Sequence, residues 1–155
     1  MRLTQHTDYA MRVLIYAATL WGDGRLASIR EIADAYAISE NHLMKVVHRL
    51  SQLGLLQTQR GRNGGLRLAR EPGAMRLGRL IQAVEDDLDL VQCFSGASDC
   101  PLVGLCGLAS ALDDARQQFL IALDRYTLAD VLPRTAGKAG AEQVVAWRNV
   151  LPARA

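Results

Sequence analysis

The chain has 155 residues, half of them apolar, with 18 Lys and Arg against 16 Asp and Glu for a net charge of +2. That is the length of one domain, or of a small domain with an appendage, and only 5% aromatic residues argue for a core of Leu, Ala, Val and Ile over an aromatic-rich β-sandwich. The longest apolar stretch near the N-terminus, residues 13–21, is about half of what a membrane span needs, and Asp8 and Arg12 break the run a secretory signal requires, so a cytoplasmic protein without a membrane span is expected.

Residues 7–20 place apolar side chains on a helical period, with Asp8 and Arg12 four apart on one face, and Trp21-Gly22-Asp23-Gly24 ends the run. Ser28-Ile29-Arg30-Glu31 reads as a capping box that opens a short helix over 29–36. After Ala37 and Ile38, Ser39 caps a second helix to about residue 53, with Leu43, Val46, Val47 and Leu50 on its buried stripe and Gly54 as its stop. Residues 55–60 and 66–69 are strand candidates flanking the turn Gly61-Arg62-Asn63-Gly64-Gly65, and Asn-Gly in that place signals a hairpin. A helix over about 77–86 follows, then a loop over 93–106. A long helix over about 108–126 has Leu112, Ala115, Phe119, Leu120 and Leu123 facing one way. The tail after Pro133 is expected to be partly disordered.

The small net charge hides an asymmetry. Residues 1–80 carry 12 basic and 6 acidic side chains, whereas residues 81–155 carry 6 basic and 10 acidic. A basic front half of this kind suits a polyanion. Two short helices and a basic hairpin, in that order, make a winged helix-turn-helix, whose second helix fits the major groove of duplex DNA with its first residues toward base edges. The candidate contacts are Ser28, Ser39, Glu40, Asn41, His42 and Lys45, with Arg49 further along near the phosphates. In the wing they are Arg60, Arg62, Asn63, Gly64 and Gly65, where glycine permits close backbone approach and arginine suits a narrow minor groove. Glu40 equally reads as a helix-dipole partner, and His48 as a solvated helix position.

Cys93, Cys100 and Cys106 fall within one short window. An odd count argues against a disulfide framework, and the spacing lacks the Cys-x2-Cys of a zinc ribbon or redox pair. Three soft thiolates in a glycine-containing loop suit an iron–sulfur cluster, 2Fe–2S or 4Fe–4S. A cubane cluster needs a fourth ligand, from an acidic side chain, a distant His, a small molecule or another subunit. Passive thiols, or zinc with a carboxylate, are the competing readings. Catalysis is disfavoured, because His6, His42 and His48 all lie in the front half, away from the cysteines. No glycine-rich phosphate loop precedes a helix either.

At these residues the chain resembles the winged-helix iron–sulfur regulators, the family that contains IscR and the nitric-oxide-sensing NsrR repressors. The resemblance spans about residues 1–133. It is carried by His6-Thr7-Asp8-Tyr9, by the segment from Asn41 to Leu56, by the wing from Arg60 to Ala69, and by Leu123-Asp124-Arg125-Tyr126 with the residues after it. It implies a homodimer paired through its long helices, a cluster (4Fe–4S favoured) held by the three cysteines, and a double-stranded DNA operator. Gly107-Leu108-Ala109-Ser110 follows Cys106 where IscR-like members have a His, which favours the NsrR branch; the gap between Cys93 and Cys100 is longer than is usual there. Within that branch the resemblance implies Asp8, oriented by Arg12, as the fourth ligand from the other subunit, and nitric oxide as the signal that releases DNA. A sister regulator of redox state or cluster supply is the alternative. The expected architecture is mainly α with a small β-hairpin wing: residues 1–80 as the winged helix-turn-helix (helix-turn-helix about 28–51, wing about 55–69), residues 81–133 as cluster loop and dimerisation helix, and 134–155 as tail.

Overall fold

The structure is a computed structural model that describes residues 2–61, 64–96 and 99–132. Arg62, Asn63 and the tail beyond residue 132 lie outside the described residues. Helix α1 spans Gln5–Thr19, α2 Ile29–Tyr36 and α3 Glu40–Gln52; strands β1 (Leu56–Gln59) and β2 (Gly65–Leu68) follow, then α4 (Leu77–Val84) and α5 (Gly107–Leu123). Short 3-10 turns at Pro72–Ala74, Gln92–Ser95 and Ala129–Val131 fill the connections. The expected class, mainly α with a hairpin wing, is the class observed.

Helix α1 starts earlier than its apolar period suggests, because Thr4 is its N-cap and takes the Thr7 N–H on its hydroxyl. It runs through the centre of the molecule with Ala10, Val13, Leu14 and Ala17 buried, and packs on α3, β2 and α4. The capping box of α2 is complete: Ser28 Oγ accepts the Glu31 N–H at 3.1 Å and Glu31 Oε2 accepts the Ser28 N–H at 2.7 Å. Ala37 then turns the chain toward α3 in the left-handed region, at φ 53°. Leu43, Val46, Val47 and Leu50 form the buried stripe of α3, as the pattern indicates.

The wing is not a free-standing ribbon. β1 and β2 pair antiparallel from Leu56–Leu68 to Gln59–Gly65, and Ala27, just before α2, adds a one-residue bridge on the other edge of β2 by exchanging two backbone hydrogen bonds with Leu66 (2.8 and 2.9 Å). Gly64 and Gly65 have a packing reason to be glycine. A Cβ on Gly65 would stand 2.6 Å from the Ala27 carbonyl oxygen, and one on Gly64 2.3 Å from that of Gln59.

Helix α5 has no buried residue, and Leu105 just before it is 87% exposed. The expected single face divides in two: Leu123 packs against the core, whereas Ala115 is exposed and Leu112, Phe119 and Leu120 are only half-buried. The helix is joined to the rest near its C-terminal end. The Asp124 carboxylate accepts the Arg79 N–H at 2.9 Å in the first turn of α4, and Arg76 donates to the Asp124 carbonyl at 2.9 Å. Gly78 sits beneath this joint, where a Cβ would be 2.4 Å from the Leu120 carbonyl oxygen. The chain after α5 folds back beside α4 through Leu77 N–H to Tyr126 O (3.0 Å) and Leu128 N–H to Met75 O (2.8 Å), which seats Leu128 in the core, fully buried.

Candidate functional site

The recognition helix α3 presents Glu40, Asn41, His42 and Lys45 to solvent on its first turns, because Leu43, Val46 and Val47 take the inward positions. Ser39 caps it by accepting the His42 N–H at 3.3 Å, so its hydroxyl serves the helix. The Ser28 hydroxyl is likewise engaged in the cap of α2. His42 leans on Tyr9 of α1, with ring centroids 6.3 Å apart. Arg49, in the last turn, makes an ion pair with Asp86 at 3.3 Å. In the wing, Arg60 is exposed and Gly64 and Gly65 lie at the root of β2. The wing-tip candidates Arg62 and Asn63 lie outside the described residues.

Two cations on this face were not among the candidate contacts. Arg25, ahead of α2, and Arg67, on β2, line an open groove of about 680 Å³ between the start of α2 and the wing. Arg25 is tied to Glu31 at 2.6 Å and Arg67 to Gln57 at 3.0 Å. Burial works against the Glu31 charge, but the Ser28 N–H and Arg25 outweigh it and hold its carboxyl below the usual range. No local pattern marks Arg25, which reaches the groove only because the Ala27–Leu66 bridge draws the chain against the wing.

The cysteines lie on the connection between α4 and α5. Cys93 is in the 3-10 turn and half-buried, Cys100 is exposed, and Cys106 is the half-buried N-cap residue of α5. All three are thiols rather than disulfides. Gly96 and Gly104 take positive φ (74° and 81°) and turn the connection. Phe94 stacks under the Arg116 guanidinium at 5.8 Å, which rests the start of the segment on α5. Among the described residues, no three His, Cys, Asp or Glu side chains are gathered as a metal site within one chain. The donor set nevertheless fits an iron–sulfur cluster chemically: three sulfurs on a connection that glycines allow to wrap.

Asp8 stands on α1 as expected, its carboxylate 2.9 Å from Arg12 and half-exposed. The same guanidinium lies 5.7 Å from the centre of the Tyr36 ring, so Arg12 bridges the Asp8 turn to α2. Burial pushes the Tyr36 phenol up to about 12, although the Arg12 charge pulls it the other way.

A helix-turn-helix braced by a β-hairpin, with a cationic reading face, defines a DNA-binding transcriptional regulator. Residues 3–134 match the Rrf2 family, described as iron-dependent transcriptional regulators. The chain is 47% identical over 133 residues to the HTH-type transcriptional regulator NsrR of Bacillus licheniformis, covering 85% of this chain and 92% of that one. It is 44% identical to the NsrR of Bacillus subtilis, covering 85% of this chain and 90% of the relative. Among solved structures, T. potens IscR superposes with a TM-score of 0.64 at 26% identity, over 85% of this chain and 86% of that one. CymR, the global cysteine regulator of B. subtilis, superposes at 0.66 over 84% of this chain and 95% of its own; at 24% identity it speaks to the fold. The chain belongs to the Rrf2 family, and it is a transcriptional regulator rather than an enzyme. No helix among the described residues is long and apolar enough to cross a membrane.

Proposed function

We propose that this regulator is a nitric-oxide-responsive repressor that binds its operator as a homodimer carrying an iron–sulfur cluster. The observation that carries the reading is the placement of all three cysteines on the connection between α4 and α5, which joins the winged half to the long helix. Cys93, Cys100 and Cys106 would hold the cluster, 4Fe–4S as the family resemblance implies, with Asp8 of the partner subunit as the fourth ligand. When bound, the cluster supplies an iron centre with affinity for nitric oxide.

The remaining work falls to the chain itself. The cysteines pin the 93–106 connection. Asp8, oriented by its own Arg12, would be a ligand across the dimer, and gain or loss of that bond acts on α1. Because α1 packs directly on α3, any shift of α1 reaches the recognition helix. The exposed apolar residues of α5, Leu108 and Ile121 more than half exposed among them, support pairing with a second copy. Two recognition helices would then have to sit about 34–36 Å apart to enter successive major grooves. A coupling of about 1–3 kcal/mol between signal and DNA suffices for a useful switch.

A visible spectrum of anaerobically purified protein during a nitric oxide titration tests the reading. A brown protein whose absorption bleaches is the expected result. A coloured protein indifferent to nitric oxide would make it a regulator of redox state or cluster supply, and a colourless one after reconstitution with iron and sulfide would remove the cluster. Asp8→Ala should leave the fold intact, since an exposed ion pair contributes about 0–1 kcal/mol, while cluster retention or the rate of nitrosylation changes. Unchanged kinetics in that variant would strike Asp8 from the ligand set. Arg60→Ala should weaken binding to all duplexes alike and flatten the salt dependence by about one unit of slope, measured by fluorescence anisotropy.

A further inference from the structure

Glu85 and Asp86 are neighbouring carboxylates at the point where α4 ends and the cysteine connection begins. Glu85 is only 7% exposed, and its Oε2 accepts the Thr4 N–H at 3.0 Å and the Thr4 hydroxyl at 3.2 Å. Among the described residues, its Oε1 is buried without a hydrogen-bond partner. A buried carboxylate with one unsatisfied oxygen works against stability, so its presence calls for another use. The contacts show one: Glu85 ties the start of the connection to the N-cap of α1, while its own N–H closes α4 on the Ile81 carbonyl at 2.8 Å. With residue 85 fixed on both sides, Asp86 is held beside α3, and its Oδ1 lies 3.3 Å from Arg49 Nη2.

We infer that Asp86 is a positioning residue that competes with DNA phosphate for Arg49, so that the place of the cysteine connection sets how much cationic charge α3 offers to DNA. The inference rests on the DNA-facing reading of α3 given above. Carboxylate and phosphate both seek the guanidinium fork, and one face of the fork serves one of them at a time. The Asp86 side chain is 84% exposed and that of Arg49 42%, which makes the pair weak. A weak pair is what competition requires, because a phosphate must be able to displace it. Asp86 is the first residue of the connection beyond the Glu85 anchor, so a displacement of the connection that turns residue 86 about that anchor carries its carboxylate toward Arg49 or away from it.

The test is a double-mutant cycle on the full chain, with a mixed-sequence DNA duplex as probe and binding followed across a salt series. Asp86→Asn should tighten binding roughly two- to fivefold at low salt. Arg49→Gln should flatten the salt slope by about one, and in that background the gain from Asp86→Asn should vanish. Asp87→Asn makes the same charge change one residue on, at a carboxylate that accepts the Asp89 N–H at 2.7 Å. It should give a smaller gain that survives in the Arg49→Gln background. No tightening in Asp86→Asn, or a gain that persists without Arg49 or merely equals that of Asp87→Asn, would overturn the competition. If Arg49→Gln leaves the slope unchanged while Asp86→Asn still tightens binding, the placement of Arg49 against phosphate fails instead, and the rest of the DNA face stands.

Discussion

Replacing Cys106 by alanine is expected to give a folded, colourless protein that has lost operator selectivity. Cys106 is the cleanest of the three positions for this experiment. It occupies the N-cap of α5 but makes no capping hydrogen bond with its side chain, so alanine forfeits no cap there. The thermal transition should therefore stay near that of the apo wild type. DNA affinity should separate into its two components. The electrostatic part, carried by the cations of α3 and the wing, should survive with its salt dependence. The sequence-selective part should fall on the order of 10³-fold or more, the usual gap between specific and non-specific binding. The measurement is a competition assay with a fragment selected from random DNA by the loaded wild type. Full selectivity in a colourless Cys106→Ala protein would reduce the cysteines to passive thiols.

The second large effect is expected at Gly78, through packing rather than ligand chemistry. A Cβ on Gly78 would lie 2.4 Å from the Leu120 carbonyl oxygen and 2.6 Å from Asp124 Oδ1. The first of these is backbone and cannot turn aside, so Gly78→Ala must drive α4 and α5 apart. Overpacking of this kind costs about 1–3 kcal/mol, which corresponds to a fall in Tm of about 2–12 °C for a chain of this size. The Arg79 N–H would lose its Asp124 acceptor at the same time. In an Asp124→Ala background the carboxylate half of the clash is gone, and the additional cost of Gly78→Ala should shrink. An equal cost in both backgrounds would remove the carboxylate from the explanation.

Much of the winged half is legible in the chain because its signals are local. The capping box at Ser28, the N-cap at Ser39 and the stripe through Leu43 and Leu50 each depend on a few consecutive residues, and α2 and α3 lie where these put them. The hairpin follows from its turn glycines in the same way. What was not legible depends on partners distant in sequence. Glu85 looks like the end of an amphipathic helix followed by an acidic run, and nothing nearby announces that it is buried against Thr4, 81 positions away. The Ala27–Leu66 bridge, which places Arg25 at the groove, has no local signature either. On α5 the apolar residues are too many for one face. Their division into a side turned to the core and a side left open appears only once Gly78 and Asp124 fix the helix. The cysteines were conspicuous by crowding, yet among the described residues a single chain does not gather them into a metal site.

The attachment of α5 by its last turns has a mechanical consequence. At about 1.5 Å of rise per residue, its seventeen residues make an arm about 25 Å long, hinged beside Gly78 and carrying Cys106 at its far end. A swing of about ten degrees at the hinge moves that end by about 4 Å over such a length. Read in the other direction, a few ångströms of travel at the cysteine end become a small tilt at the hinge, delivered with leverage. On the proposed cluster reading, the long helix would work as a reduction gear between a chemical event at the cysteines and the winged helix-turn-helix.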